Sequence, residues 1–327
     1  MNTVRVIARP RIHTGLVDLS GTSLRSYGGV GFAVNGMPTI WRVQHNPTTK
    51  LEGIEHLDAN AKRDLTDLKA RLEPLCRDGG YSATLEEIAT QHIGLGTKTT
   101  LCISLVSAVN ALKGLNLSPS EMTALSGRGG ASGIGVNLFF SGGVVWDGGH
   151  PRRADRQFLP SGAQSPISRS PLLARWTFPA TWRMALMLPR GRIANGEYER
   201  VFFEQNTPLP KLEVLETMAV MYHGVIPGIV THDTGLLREA LLELHKVGFK
   251  KRELIGQSEE TKAALSYLQT NTSFPIGMSS MGPLIYAIVM EGDLAANQFL
   301  RNACTMHGLT FFDTFEAWNS AHEILEL

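Results

Sequence analysis

The sequence has few cysteines, no surplus of either charge and no long apolar run, and each of these absences excludes a class of protein. Its three cysteines, Cys76, Cys102 and Cys304, are an odd number without metal-ligand spacing, so neither a disulfide framework nor a zinc site is expected. Lysine and arginine number 31 against 30 aspartates and glutamates, which makes nucleic acid an unexpected partner. No span approaches the roughly 18 apolar residues of a membrane helix, and the N-terminus lacks an apolar signal segment. We expect a soluble, cytoplasmic protein.

Residues 92–112 (HIGLGTKTTLCISLVSAVNAL) join a glycine-containing loop to an apolar helix. The two glycines let the backbone approach an anion, and the unpaired amides of the first helical turn point at it. The threonines add hydroxyl donors and the lysine adds a charge. A capped core helix with a flexible lead-in would give a similar pattern when the segment is taken alone. The candidate diphosphate ligands in this phosphate loop (residues 94–100) are Gly94, Leu95, Gly96, Thr97, Lys98, Thr99 and Thr100.

Two familiar nucleotide-binding motifs do not fit the chain. A Walker loop needs glycine directly before its lysine, and Thr97 stands there, so the P-loop is excluded. The run 129–135 (GGASGIG) looks like a dinucleotide fingerprint, but residues 118–126 before it indicate a short helix rather than a strand. The apolar run 136–145 after it alternates too little for the required helix. We therefore expect no nicotinamide cofactor.

Strands interleaved with helices, and partly joined by hairpins, predict an α+β protein of two domains rather than a doubly wound parallel sheet. A hairpin over residues 28–43 is predicted to turn at Asn35 and Gly36, and a second hairpin is predicted over residues 136–147. Residues 152–170, rich in Pro, Ser, Gly and Arg, are the linker candidate. Other predicted strands are 4–12, 81–87, 182–189, 275–280, 284–289 and 310–313. Other predicted helices are 59–72, 212–225, 229–245, 258–269, 293–307 and the acidic terminal segment.

Four stretches together resemble the β-ribofuranosylaminobenzene 5'-phosphate (β-RFAP) synthases of the GHMP superfamily, over nearly the whole chain. They are residues 9–31 (RPRIHTGLVDLSGTSLRSYGGVG), 92–100 (HIGLGTKTT), 127–150 (GRGGASGIGVNLFFSGGVVWDGGH) and 277–288 (GMSSMGPLIYAI). The resemblance implies an N-terminal domain like domain 2 of ribosomal protein S5 over residues 1–174. It also implies a ferredoxin-like C-terminal domain over residues 175–327, a site in the cleft between them, and a homodimer.

The resemblance also implies a reaction. The donor would be 5-phosphoribosyl 1-diphosphate (PRPP), and the acceptor would be an aromatic carboxylic acid that is ribosylated on carbon and loses carbon dioxide. As diphosphate leaves, positive charge grows on the ribose and negative charge on the departing oxygens, so the site must stabilise both. Lys98 and the phosphate loop would take the diphosphate, helped by Mg²⁺ bridging its oxygens.

Three residues are the candidate catalytic set, namely Asp18, Lys98 and Arg25. Asp18 is the carboxylate within the family motif of residues 9–31. It could ligate the magnesium, bind ribose hydroxyls or offset the oxocarbenium charge. The sequence does not choose among these roles, and a turn residue before Ser20 is the structural alternative.

A second set would bind the ribose phosphate or the acceptor carboxylate. A guanidinium fork binds two carboxylate or phosphate oxygens at once, and residues two apart on a strand emerge on one face, so Arg11 and His13 can share a site. Surface arginines, a packed histidine and a glycine-rich turn are the alternative explanations. The candidates are Arg11, His13, Arg25, Arg128, Ser132, Ser279 and Ser280.

The main rival is an ATP-dependent GHMP kinase, because most of the superfamily are kinases. A phosphotransfer site usually places a carboxylate near the reacting hydroxyl. Residues 122–146 contain neither Asp nor Glu, and Asn137 stands near the place of the kinases' catalytic aspartate. We therefore predict the phosphoribosyltransferase. A binding protein without catalysis is the third alternative, and the polar set around Arg11 and Arg25 disfavours it.

The chain departs from the archaeal pattern of the family at its anion-binding positions. The archaeal enzymes usually carry basic residues where Gly130 and Ala131 stand here, and glycine where Lys98 stands. This difference favours the branch that serves C-nucleoside antibiotics such as formycin and pyrazofurin. The predicted acceptor is then a pyrazole dicarboxylate rather than 4-hydroxybenzoate or 4-aminobenzoate.

Overall fold

The computed structural model describes residues 3–153, 157–164, 166, 168–190 and 196–327, which form two β-sheets with helices packed against them. The strands are β1 (Thr3–Ala8), β2 (Arg11–Asp18), β3 (Arg25–Asn35), β4 (Thr39–His45), β5 (Lys50–Glu52), β6 (Tyr81–Glu87), β7 (Val144–Asp147), β8 (His150–Pro151), β9 (Leu172–Trp176), β10 (Trp182–Leu188), β11 (Ile276–Met278), β12 (Ile285–Met290), β13 (Thr310–Ala317) and β14 (Glu323–Glu326). The helices are α1 (Ala59–Leu72), α2 (Thr97–Lys113), α3 (Pro119–Ser126), α4 (Ile134–Ser141), α5 (Gly196–Asn206), α6 (Lys211–Val220), α7 (Ile226–Val230), α8 (Thr234–Leu244), α9 (Gly248–Ile255), α10 (Glu259–Asn271) and α11 (Leu294–His307). In the part of the chain that the structure describes, no helix is long and apolar enough to cross a membrane.

The first sheet has the strand order β14-β1-β4-β6-β5 and carries α2 on its inner face. Twelve of the 17 residues of α2 are buried, so this helix has no polar face and its position is fixed by packing rather than by amphipathicity. Trp41 of β4 donates its indole N–H to the carbonyl of Leu101 at 3.0 Å. The N-terminal half of the helix is thereby held against β4, the central strand of this sheet.

The second sheet joins the two halves of the chain. Its order is β11-β12-β10-β13-β3-β7-β9, with β2 and β8 also paired to β3. The junction is the pairing of Ala317 with Val34 and of Glu316 with Asn35. In β2 a bulge lies between His13 and Gly15, and the extra residue re-aims the side chains that follow it.

Many predicted elements are confirmed, but the hairpin at Asn35 and Gly36 is wrong. The helix over residues 59–72 and the strand over residues 81–87 have the predicted bounds. The strands β3 and β4 exist, yet they belong to different sheets. Gly36 packs against the ring of Phe315, where a Cβ would lie 2.2 Å from Cδ1, and the chain crosses there from one sheet to the other.

Three further predictions of local structure are wrong. Residues 136–147 are not a hairpin, because α4 occupies residues 134–141 before β7 begins. This helix is buried on most sides and so lacks the periodicity that would identify it. The predicted strand over residues 4–12 is two strands interrupted at Pro10, which has no amide to pair. The acidic terminal segment is a strand, β14, that pairs with β1.

The predicted linker lies partly outside the described residues, at 154–156, 165 and 167. In its described part, Gln164 Nε2 donates a hydrogen bond to the Gly130 carbonyl at 3.0 Å. The division into domains at residues 174 and 175 stays a prediction.

A buried ion pair lies beneath the loop between β11 and β12. The side chains of Lys250 and Glu253 on α9 are 0% and 2% exposed, and Nζ lies 2.5 Å from Oε2. The same ammonium donates to the carbonyls of Met278 at 3.2 Å and Ser280 at 2.9 Å. Burial lowers the pKa of Lys250, while Glu253 acts to raise it. This pair therefore fixes residues 279–284, which we call the anchor loop.

Replacing one member of this pair is expected to destabilise the fold. The variant Lys250→Met leaves the Glu253 carboxylate buried without its partner, which typically costs about 3–5 kcal/mol. The double variant Lys250→Met/Glu253→Leu removes both charges and is expected to recover most of that loss. Urea unfolding at pH 7 measures both free energies. A single variant as stable as the parent protein would show that the pair does not hold the anchor loop.

Candidate active site

A cleft of about 590 Å³ lies between the phosphate loop, β2, the anchor loop and α5. It is the place where the glycine loop, four arginines and a lysine face the same space. Several sequence-predicted site residues line it. These are Arg11, His13, Gly94, Gly96, Thr97, Lys98, Thr99, Arg128, Ser132 and Ser280.

The phosphate loop has its shape because its glycines are packed against other segments. Gly94 has φ +104°, and a Cβ on it would lie 2.4 Å from the carbonyl oxygen of Ser279. Gly96 has φ +70°, and a Cβ there would lie 3.0 Å from Arg11 Cγ and Nε. These positions therefore require glycine. Gly96 is also the N-cap of α2, which no side chain of the described residues caps, so first-turn amides are open to an anion.

The loop's other residues divide between the cleft and the core. Leu95 is fully buried. The Thr100 hydroxyl meets Thr39 at 2.9 Å, and the Thr97 hydroxyl donates to the Thr90 carbonyl at 3.1 Å. Thr99 thus carries the loop hydroxyl that, within the described residues, has no protein partner.

Lys98 lines the cleft but is already paired. Its Nζ lies 2.6 Å from Asp64 Oδ2 of α1, with both side chains about one-quarter exposed or less. A pair of this exposure is weak, so an incoming anion can compete for the ammonium.

Arg11 and His13 share one face of β2, as expected. The Arg11 Nη1 donates to the Gly94 carbonyl at 2.6 Å, and burial lowers the pKa of Arg11 to about 10. The His13 Nε2 lies 3.1 Å from the Ser132 hydroxyl. Burial, with the charges of Arg11 and Lys250, holds the pKa of His13 well below its usual range. The imidazole is therefore neutral at physiological pH.

Ser279 lies behind the cleft wall and acts on the backbone. Its hydroxyl donates to the Gly94 carbonyl at 2.6 Å and accepts from the His13 amide at 3.1 Å. The Ser280 amide donates to the His13 carbonyl at 2.9 Å. The anchor loop thus connects β2 to the phosphate loop.

Asp18 and Arg25 lie outside the cleft. The Asp18 Oδ1 accepts hydrogen bonds from the amide and the hydroxyl of Ser20, both at 2.8 Å. This is the geometry of a turn residue. The Arg25 guanidinium is exposed and donates to the carbonyls of Gly148 at 2.7 Å and Gly149 at 2.6 Å. In the structure these two residues organise the turns after β2 and β7.

Unpartnered polar atoms are concentrated at the cleft. Among the described residues, His13 Nδ1, Gln91 Oε1 and Arg128 Nε are buried without a hydrogen-bond partner, and all three side chains line the cleft. Each such atom costs free energy until a partner satisfies it. The arrangement therefore favours a polar ligand with several oxygens.

Sequence reasoning missed one wall of the cleft. Residues of α5 and α9 contribute there, namely Gly196, Glu197, Glu199, Arg200, Phe203 and Glu253. Mixed charges on a short helix are typical of a solvent-exposed face, so the sequence contains no signal that these residues turn inward. Arg63 and Asn60 of α1 were missed for the same reason.

The described residues offer few side-chain ligands for a metal. The described residues contain no cluster of three or more histidines, cysteines, aspartates or glutamates. The Asp18 carboxylate lies outside the cleft and is bonded by Ser20. Magnesium is commonly held by substrate phosphates, waters and one or two carboxylates. Within the described residues, a metal would therefore need the donor's oxygens as ligands.

The similarity to known proteins agrees with the geometry. No protein-family model matches the chain. The chain is 33% identical over 287 residues to the β-ribofuranosylphenol 5'-phosphate synthase of Archaeoglobus fulgidus, covering 87% of each chain. It is 29% identical to the enzyme of the same name from Methanothermobacter thermautotrophicus, covering 86% of this chain and 87% of the relative.

The structural neighbours are proteins of the GHMP fold. Streptococcus pneumoniae phosphomevalonate kinase matches with a TM-score of 0.70 at 9% identity, covering 97% of this chain and 100% of the neighbour. Cytophaga hutchinsonii homoserine kinase matches with a TM-score of 0.65 at 16% identity, covering 99% and 98%. At this identity the likeness shows the fold alone, and it confirms the predicted α+β, GHMP-type fold. Together with the identity to the archaeal synthases, it places the chain in the β-ribofuranosylphenol 5'-phosphate synthase family of the GHMP superfamily, and the protein is an enzyme.

Proposed function

We propose that the protein transfers the phosphoribosyl group of PRPP to a ring carbon of an aromatic or heteroaromatic carboxylic acid, with loss of carbon dioxide and diphosphate. The observation that carries the proposal is a cation-lined cleft at a glycine loop, in a chain 33% identical to a named ribofuranosylphenol phosphate synthase. A diphosphate, a phosphate and a carboxylate all need such cations.

The phosphate loop is the proposed diphosphate end of the cleft. The amides at the start of α2 carry the positive end of the helix dipole. Lys98 and Arg11 add two charges beside them, and Thr99 adds a hydroxyl donor. Arg11 is pre-positioned by its bond to the Gly94 carbonyl, so little ordering is required when the ligand binds.

A second part of the cleft, around Arg128, Ser132 and His13, is the proposed place of the ribose phosphate or the acceptor carboxylate. Arg128 is buried there with an unpartnered Nε in the described structure. The Ser132 hydroxyl and the neutral His13 lie next to each other at 3.1 Å. A guanidinium beside hydroxyl donors suits an oxyanion.

The chemistry asks the protein for alignment and charge rather than for a base. The bond between ribose C1 and the diphosphate oxygen breaks, and its electron pair leaves with the diphosphate. The ring carbon that bears the carboxylate donates a π pair to C1 and forms the new carbon–carbon bond. The carboxylate then leaves as carbon dioxide, and its bonding pair restores the aromatic ring. No proton is transferred at this carbon, so this step needs no general base.

We also propose that the acceptor is a pyrazole dicarboxylate. Two of the three positions where the sequence departs from the archaeal pattern, Lys98 and Ala131, line the cleft. Arg63 brings a further cation to it. A small ring with a second carboxylate uses this charge, whereas a benzoate leaves part of it unpaired.

Product analysis tests the proposal directly. Purified protein with PRPP, Mg²⁺ and 4-amino-pyrazole-3,5-dicarboxylate is expected to release diphosphate and carbon dioxide in equal amounts. Parallel reactions contain 4-hydroxybenzoate or 4-aminobenzoate, and ATP replaces PRPP in a further set. Faster turnover of a benzoate would contradict the pyrazole assignment. ADP formation without diphosphate release would establish the kinase instead.

Lys98 gives a second test. Lys98→Ala is expected to weaken PRPP binding about tenfold or more, since a charge-assisted hydrogen bond is lost. Asp64→Asn is the matched control, because it removes the partner of Lys98 and leaves the ammonium free for the ligand. Its affinity is expected to equal or exceed that of the parent protein. Isothermal titration calorimetry measures both, and unchanged affinity in Lys98→Ala would remove this lysine from the diphosphate site.

A further inference from the structure

One carboxylate in the cleft differs from the others in having no ion-pair partner. Among the described residues, the cleft carboxylates are Glu197, Glu199 and Glu253. Glu197 is exposed and bonds Arg200 at 2.7 Å. Glu253 is buried against Lys250. Glu199 is half-buried on α5 and forms no ion pair with any described residue.

Glu199 faces the cations that line the cleft. Burial raises the pKa of its carboxyl above the usual range, and His92, Arg128, Lys98 and Arg11 oppose that rise. Three of these four groups also line the proposed anion sites at the two ends of the cleft. The Glu199 carboxylate therefore lines the same cleft as the cations proposed for the diphosphate and for the second oxyanion.

A negative charge at this position disfavours one state of the reaction and favours another. In the ground state the diphosphate is anionic, and a nearby carboxylate repels it. When the C1–oxygen bond breaks, C1 and the ring oxygen of the ribose become positive, and the same carboxylate attracts them. Interactions that strengthen in the transition state are those that accelerate a reaction.

We propose that Glu199 is a catalytic residue that contacts the donor's ribose and stabilises the oxocarbenium ion during transfer. This inference rests on the proposed function and deepens it. It gives Glu199 a role that the sequence allowed for Asp18, whose carboxylate is held by Ser20 outside the cleft. The carboxylate forms no covalent bond: the electron pair leaves with diphosphate, and the acceptor carbon supplies the new pair to C1.

Two measurements on Glu199→Gln test the proposal. The turnover number is expected to fall about 100-fold, as for loss of a charge that stabilises a transition state. Inorganic diphosphate, titrated without metal, is expected to bind about fivefold more tightly because the repulsion is gone. Glu216→Gln is the control, since Glu216 is an exposed carboxylate on α6 and forms no ion pair with a described residue. It is expected to leave both values unchanged.

The pH profile gives a readout that a structural role would not change. The active form of Glu199 is ionised and its pKa is raised, so kcat/KM of the parent protein is expected to fall as the pH drops through that raised pKa. In Glu199→Gln this acid limb is expected to disappear, while the other cleft residues are unchanged. An identical acid limb in the variant would overturn the role of Glu199.

The outcomes separate this inference from the proposed function. If the parent protein turns over an acceptor and Glu199→Gln matches its kcat, Glu199 is not catalytic although the function stands. If diphosphate with Mg²⁺ binds more weakly to the variant, Glu199 is a metal ligand and the inference is wrong. If the parent protein is inert with every acceptor, the proposed function fails, and tighter diphosphate binding by the variant still locates the carboxylate at the anion site.

Discussion

The cleft depends on one carbonyl oxygen, that of Gly94. It accepts hydrogen bonds from Arg11 Nη1 and from the Ser279 hydroxyl, each at 2.6 Å. Three segments that are far apart in the sequence thus meet at a single atom: β2, the phosphate loop and the anchor loop. The contact is close because Gly94 has no side chain, and any Cβ would collide with the Ser279 backbone. The positions of the cations, and so the charge pattern of the site, follow from this meeting point.

That charge pattern is organised by burial. Arg11 and Lys250 both have pKa values lowered by burial, and His13 is kept neutral between them. Glu253 compensates Lys250 inside the protein, whereas Arg11 faces the cleft and relies on longer-range charges. Charges that are fixed before the ligand arrives need no reorganisation during the reaction, and in a low-dielectric site they act strongly. The cleft is therefore arranged for a polyanion whose charge moves during turnover.

Local sequence patterns predicted the elements that carry strong local signals. Helix α1 has a capping Asp58 and a clear apolar stripe, and the phosphate loop has its glycines. Residues with weak local signals were missed. Helix α4 is apolar all round, and β14 is an acidic strand that needs β1 to form. Glu199 sits on a short charged helix that only tertiary packing turns toward the cleft. For the same reason, the motif around Asp18 indicated a site but could not show that Ser20 donates hydrogen bonds to the Asp18 carboxylate.

The pairing of β13 with β3 constrains how such an enzyme tells ligands apart. The anchor loop connects β11 to β12, and β12, β10, β13, β3 and β2 follow as neighbours in one ladder. Two parts of the cleft wall, β2 and the anchor loop, therefore belong to the same continuous sheet, and their spacing is set by backbone pairing. This pairing opposes a change in the distance between them to suit rings of different width. Selectivity in this architecture depends on the distance between these walls. A new acceptor would be admitted by shorter side chains on the walls rather than by a hinge motion.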